Sequence, residues 1–493
     1  MLNLKLLSDG ELEKIHYNSL KILEKIGVKI PNEEVLKIFK NNGAEINFEN
    51  NIAKIPSALV ENALKVAVDK QNKYYKNNND LLLNFKGWMS ENNLQNIYEY
   101  REFIKRTGSI RDLLNAIVIG NSLKNIERIS CFVKPEGYSD EYSSIINYFL
   151  LYLFSKKRYF IGPLNTLNAA KCIIEMAKVI AENEFQLKNG SLVEFELEAV
   201  ENLVFSGEDL LKAIEFSRNK MKILPGGWYW MGYHTPMTYA SAITLSNANI
   251  LAAITITILI NPDCMFFDYV FGTQTVNLRE KDISLFGGPN QVIFSITGRQ
   301  LANFYGFKKC ISNAGLTDSM QYDFQSGFER GVTAALAFAN GTNHIGLQGI
   351  VGADQGVSFE ELLINNEYLD FLNFIFNRKI EINDKTFNFE DIQKKGVGGN
   401  FLDYKKNINI KDVYWDSDIF VSEHMKDWSI NKIINNIGKK INEILEQNFP
   451  PELLISEDKV KRLEDIIMFY TKDKKFLSKL KRELNSLLLK EIN

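Results

Sequence analysis

The residues whose types and spacing are best suited to chemistry lie in one loop, Leu224-Pro-Gly-Gly-Trp-Tyr-Trp-Met-Gly-Tyr-His-Thr-Pro236. Its glycines and prolines impose an irregular backbone. Trp228, Tyr229, Trp230 and Tyr233 supply ring faces, and His234 supplies one titratable group. Aromatic faces attract quaternary ammonium ions through their quadrupoles, and such a nitrogen has no N–H with which to be held. The same rings serve a packed core equally well. Alone, the loop is consistent with both.

Other candidates stand near the ends of apolar segments: Asn165, Asp268, Tyr269, Asn313, Thr317, Asp318, His344 and Gln348. Asp268, beside Phe266, Phe267 and Tyr269, needs a partner if it is buried, either from the protein or from a bound cation. Thr317-Asp318-Ser319, with Asp323 and Gln325 beyond, can equally cap a helix starting near Gln321. His344, at an apolar strand, suits a structural role as readily as a ligand contact. No G-x-S-x-G elbow and no neighbouring Cys and His occur. A site rich in rings and amides but poor in nucleophiles implies that a second molecule supplies the nucleophile. The histidines at 16, 234, 344 and 424 are dispersed without metal-ligand spacing, so no metal site is expected.

These residues must be positioned by a scaffold, and the pattern of the chain suggests which. Short β-rich segments at Arg128 to Val133, Tyr159 to Ile161, Met221 to Leu224, Met265 to Val270, Lys309 to Asn313 and Asn343 to Leu347, with a less regular one between Leu192 and Phe205, alternate with helical stretches. Strand and helix alternating over some 250 residues imply a parallel sheet, and seven units approach the eight of a closed barrel. The expected fold is α/β, a (β/α)8 TIM-type barrel over residues 81–400. An N-terminal helical cap over 1–80 and a C-terminal helical extension over 401–493 would pack on it. Ser8-Asp-Gly-Glu11 has the form of a capping box, and Leu12, Ile15, Ser19, Ile22, Leu23 and Ile26 follow at helical spacing.

Composition removes other classes. With 58 basic against 61 acidic residues, no basic excess points to nucleic acid. The longest apolar runs, Ile145 to Phe154 and Ile250 to Ile260, fall short of the ~20 residues that span a bilayer. No signal-peptide pattern opens the chain, and the four cysteines are scattered in apolar surroundings, so a cytoplasmic protein is expected. Neither G-x-G-x-x-G after a strand nor a P-loop is present.

A set of ordered motifs then resembles a known family. Leu7-Ser8-x-x-Glu11-Leu12-Glu13-x-Ile15-His16, Ser19-Leu20-x-Ile22-Leu23-x-x-x-Gly27-Val28 and Ile55-Pro56-x-x-Leu59-Val60 come first. Leu224-Pro225-Gly226 with Gly232, Thr235-Pro236 and Thr238 follows, then Asn247-Ala248, Asn261-Pro262, Gln300-Leu301-Ala302-x-x-Tyr305-Gly306 and Gly315-x-Thr317-Asp318-Ser319. Asp323-x-Gln325-x-Gly327-x-Glu329 and Ser358-x-Glu360 close the series. From about residue 8 to 470 these resemble the trimethylamine methyltransferase superfamily. That resemblance implies a barrel enzyme moving a methyl group from a methylated amine to the Co(I) of a corrinoid (cobalamin) on a separate small protein. With only standard residues, the chain is similar to the branch without pyrrolysine, which demethylates quaternary amines such as glycine betaine.

From their places at strand ends, Trp228, Trp230 and Tyr233 would hold the ammonium group, with His234 and Tyr269 as further candidates and Asp268 as counter-charge. His344, Gln348, Asn313 or Arg299 would receive a substrate carboxylate, and Asp268 and His344 are the positioning candidates. The chain lacks the D-x-H-x-x-G corrinoid-binding motif, so the corrinoid is expected on the partner. A homo-oligomer is also expected. A non-catalytic binder of quaternary ammonium compounds, or a methyltransferase for another methylated amine or a sulfonium, remains an alternative.

Overall fold

The computed structural model describes residues 4–77, 86–90, 96–99, 104–157, 159–160, 162–264, 268–280, 283–342, 344–378, 380–387, 389–401 and 413–488. Eight strands in this mixed α/β protein run parallel and follow one another in space in chain order. They are β1 (Lys86–Met89), β2 (Ile126–Ile129), β3 (Tyr159–Phe160), β4 (Phe195–Leu197), β5 (Ile223–Pro225), β6 (Tyr269–Val270), β7 (Cys310–Ser312) and β8 (His344–Gln348). One six-stranded ladder has the order β6-β7-β8-β1-β2-β3, so the last strand pairs with the first, and β4 pairs with β5 in a second ladder. A backbone bond from Phe160 N to Ser191 O (3.0 Å) crosses one seam; the other is crossed just beyond β5 and β6, by bonds from Gly272 N to Gly227 O (3.0 Å) and Gln274 N to Tyr229 O (2.8 Å) and by a short parallel pairing of Trp230–Met231 with Gln274 and Thr275.

The closed barrel expected from the sequence is therefore not present as one continuous ladder among the described residues. Strands of two or three residues offer too few rungs for a ladder at the seams. β1 was missing from the sequence count because Lys86-Gly-Trp-Met89 shows no alternation and its second residue is a glycine. Met265, Phe266, Phe267, Ile161 and Asn343, read as strand residues, lie outside the described residues.

Each strand feeds a helix, and the helix starts share one device. Ser109, Ser139, Thr166, Ser206, Thr238, Asp323 and Ser358 each accept, through a side-chain oxygen, the backbone N–H three residues on. That satisfies one of the orphan donors of the first turn. The remaining helix of the set, Pro289–Tyr305, begins with proline, which has no N–H to satisfy. Helix Tyr239–Ile260 is long and apolar enough to cross a membrane, with a mean hydropathy of 1.9, but 78% of that stretch is buried inside the protein. Helices Asp9–Lys25 and Ser57–Asn77 cover it, so its apolarity is that of a helix enclosed on all sides.

The N-terminal segment is tied to the strand-and-helix body by specific bonds. The capping box forms, with Ser8 N donating to Glu11 Oε2 at 2.8 Å. Gln300 accepts from the N–H groups of Leu6 and Leu7 and donates to Leu7 O. Asn247 donates to Tyr305 and to Ser19, and accepts from Tyr269 Oη at 2.7 Å. Strand Val28–Lys29 pairs with Val204–Phe205, which folds back on Ala199–Glu201 just after β4. The C-terminal helices Ile430–Asn448, Glu457–Thr471 and Lys474–Leu488 pack on the outer helices, with Leu463, Ile467 and Leu480 buried.

Candidate functional site

At the carboxyl ends of the strands lies a cavity of about 580 Å³. Trp228 and Trp230 from the loop after β5 form one wall, and Trp88, the third residue of β1, forms its floor with Leu224. Glu194, Glu196 and Glu198 line the side given by β4, and Gln274, Asn313 and Asp354 complete the polar lining. Successive side chains of a strand alternate between faces, so carboxylates at every second residue share one face. Leu192-Val-Glu-Phe-Glu-Leu-Glu198 carries that alternation in plain view, and sequence reading passed over it.

The Trp228 ring is set by its neighbours. A Cβ on Gly272 would lie 1.6 Å from its Cε3 atom, so only glycine lets the ring lie over the chain after β6. Its backbone N–H donates to Glu198 Oε2 at 3.1 Å, which couples the acidic strand to the aromatic loop. His234 Nδ1 accepts from Trp230 N at 3.0 Å, and the imidazole packs edge-on against Tyr233. Burial pushes its pKa below the usual histidine value, against the pull of Glu201. The neutral ring with an accepting Nδ1 carries its proton on Nε2.

Several residues chosen from the sequence lie elsewhere. Asp268 is fully buried at the amino end of β6, so it cannot be the counter-charge for a ligand at the carboxyl ends. It accepts from Tyr75 Oη at 3.2 Å and Gln71 Nε2 at 3.4 Å, and sits 3.3 Å from Lys222 Nζ and 4.0 Å from Lys309 Nζ. Glu194 joins this network through ion pairs with Arg128 and, at 3.0 Å, with Lys222. The residue precedes its strand instead of following it, and the three bulky residues before it gave no register by which to tell.

Tyr269 points into the core against Tyr305 and Phe307. Tyr233 is 70% exposed at the rim and does not line the cavity. Thr317 donates to Glu329 at 2.6 Å, and Asp318 accepts from the N–H groups of Phe286 and Gly287, so both fasten loops together. The helix cap is Asp323. Gln348 donates to Gly346 O at 2.7 Å and accepts from Tyr368. Arg299, on the outer helix Pro289–Tyr305, donates to Lys308 O, and Asn165 donates to Asp140 O. His344 pairs with Ile311 and Lys86 along β8, and its side chain lies outside what the structure describes. Of the sequence candidates, Trp228, Trp230, His234 and Asn313 meet in the cavity.

The buried network makes a pH-dependent contribution. Burial lowers the Lys309 pKa to about 8. In the unfolded chain the lysine keeps its proton to about pH 10, so between these values the unfolded state holds more protons and stability rises with pH. Wild type should therefore gain stability relative to Lys309→Met from pH 7.5 to 9.5 in urea titrations. A difference independent of pH would contradict this assignment.

Eight strand-helix units with an aromatic, carboxylate-bearing cavity at the strand carboxyl ends define an α/β protein with a strand-end pocket. The sequence matches the trimethylamine methyltransferase (MTTB) family over residues 1–473. The chain belongs to that family and is a methyltransferase. A glycine betaine methyltransferase of Desulfitobacterium hafniense (strain Y51) is 24% identical over 414 residues, 81% of this chain and 83% of that protein. Trimethylamine methyltransferase MttB1 of Methanosarcina mazei is 24% identical over 436 residues, 86% and 87% of the two chains. The monomethylamine methyltransferase (MtmB) structure of Methanosarcina barkeri overlaps 88% of this chain and 87% of its own at 9% identity, with a TM-score of 0.43.

Proposed function

We propose that the enzyme removes a methyl group from a quaternary ammonium compound and passes it to the Co(I) corrinoid of a separate small protein. The observation that carries this reading is the lining of the cavity. Three tryptophans and a row of carboxylates suit a desolvated cation, while among the described lining residues none is Cys, Ser, Thr or Lys. Relatives named for glycine betaine and trimethylamine support a methylated amine. The acceptor supplies the electron pair of the new bond. The C–N bond breaks toward nitrogen, and a neutral tertiary amine leaves, so no proton is needed. What the chain contributes is desolvation and aim: the rings exclude water from the cation and the carboxylates balance its charge until one methyl group faces the opening.

The strand order also supports reading the two ladders as one (β/α)8 barrel over residues 81–400, between helical segments at 1–80 and 401–493. A cytoplasmic homo-oligomer belongs to the same proposal; the four buried free thiols suit that compartment.

The test is to mix the full chain with Co(I) cobalamin and, in turn, glycine betaine, carnitine, proline betaine and choline. One of them should abolish the Co(I) visible spectrum at a rate proportional to enzyme. Binding of these compounds without any spectral change would favour a non-catalytic binder. Trp228→Ala and Trp230→Ala should each weaken binding by roughly 1 to 2 kcal/mol in calorimetry.

A further inference from the structure

Resting on the reading that the cavity takes a quaternary ammonium ion, we infer that Asn313 and Gln274 form a polar subsite beside the rings, and that the substrate bears an oxygen on the substituent that is not methyl. Asn313 directly follows β7 and Gln274 lies in the chain after β6; both line the cavity and both are 2% exposed. Among the described residues neither Oδ1 nor Nδ2 of Asn313 has a hydrogen-bond partner, and Gln274 Oε1 has none. Gln348, by contrast, spends its amide on Gly346 O and Tyr368. Buried amide atoms left without partners carry a desolvation cost, and native proteins keep few of them. A ligand that bonds to these two amides recovers that cost, whereas a purely alkyl cation leaves it in place.

Strand register sets this subsite against the cation wall. Gln274 is the parallel partner of Trp230, and Thr275 that of Met231. Partners in neighbouring strands present their side chains to the same face, about 4.8 Å apart. The Gln274 side chain therefore stands beside the Trp230 indole, and both line the cavity. An oxygen about three bonds from the nitrogen spans such a separation. Asn313 Nδ2 can donate to a hydroxyl or a carboxylate oxygen, and the two amide oxygens can accept from a hydroxyl. The shared requirement is the oxygen, whichever group carries it. Anchoring that substituent on the wall leaves the methyl groups as the ones free to face the opening, which makes the two amides positioning residues for the transfer.

Calorimetry on the full chain with matched pairs tests this. Choline is set against n-propyltrimethylammonium, and glycine betaine against isobutyltrimethylammonium; each alkyl ion keeps the shape and loses the oxygen. Tetramethylammonium reports on the rings alone. In at least one pair, the preference for the oxygen-bearing member should fall about tenfold or more in Asn313→Leu, with tetramethylammonium affinity unchanged. The pair that responds tells a hydroxyl from a carboxylate. Leucine replaces an amide that has no partner to lose, so the variant should fold; if it does not, Gln274→Met carries the same test with the same expected direction. Preferences unmoved in the folded variant, or losses shared equally by tetramethylammonium, would overturn the inference while leaving the quaternary ammonium reading intact. If none of these compounds binds the wild-type chain, that reading falls and the inference with it.

Discussion

Asp268→Asn should destabilise the protein by about 3 to 5 kcal/mol, because it removes one anion from a buried network and leaves its cations under-compensated. Lys222 and Lys309 both approach this carboxylate, and neither can reach water, with relative exposures of 1% and 5%. Burial already disfavours the charged form of each lysine. The substitution is nearly isosteric, so the effect reports charge and not packing. Denaturant unfolding should show a lower midpoint with an unchanged slope. Below that midpoint, affinity for quaternary ammonium compounds should match wild type, since Asp268 is not among the residues that line the cavity and meets it only through Lys222 and Glu194. Undiminished stability together with lost affinity would restore Asp268 as a ligand counter-charge.

Gly272→Ala should damage the site without removing any group that lines it. The new methyl would occupy the space of the Trp228 ring, at 1.6 Å from Cε3, a separation at which the ring must rotate away. Losing that ring from the cation should weaken binding by roughly 1 to 2 kcal/mol, about tenfold, with little further loss when Trp228→Ala is added. The double-mutant cycle is the decisive measurement. Additive losses would show that Gly272 acts by another route. Trp228 fluorescence, compared with the Trp228→Ala background, would follow the displaced ring directly.

The two halves of the sequence reading met different fates for a physical reason. The motifs that carry the family resemblance are mostly fasteners: Gln300 clamps the backbone at Leu6 and Leu7, Asn247 links Tyr269, Tyr305 and Ser19, and Glu329 holds Thr317 and the N–H of Asp318. Such bonds need one residue type at one place, so they stand out in a linear reading. The helices were equally legible, since Ser, Thr or Asp caps and 3.6-residue periodicity mark their starts and buried faces. The lining of the cavity was harder to read. Asp268 and Glu196 both lie in short β-rich stretches, yet Glu196 lines the cavity and Asp268 lies at the opposite end. Only the ends of two- and three-residue strands separate these cases, and such ends leave almost no periodicity. Glu194, Glu196 and Glu198 did leave a signal, an acidic residue at every second position between buried Leu192, Phe195 and Leu197.

The amino-end network and the helix Ser57–Asn77 have a kinetic consequence. Gln71 and Tyr75 of that helix reach Asp268 and, through Gln71 Oε1, the backbone of Lys308, so the amino end of the strand set is covered by protein. On the proposed reaction, donor and acceptor must then share a single doorway. A methyl donor has to enter before the acceptor seats itself over the mouth, and the demethylated amine can depart only after the acceptor lifts off. Turnover should therefore follow a compulsory order, and an excess of the acceptor protein should inhibit by sealing an enzyme that has nothing inside.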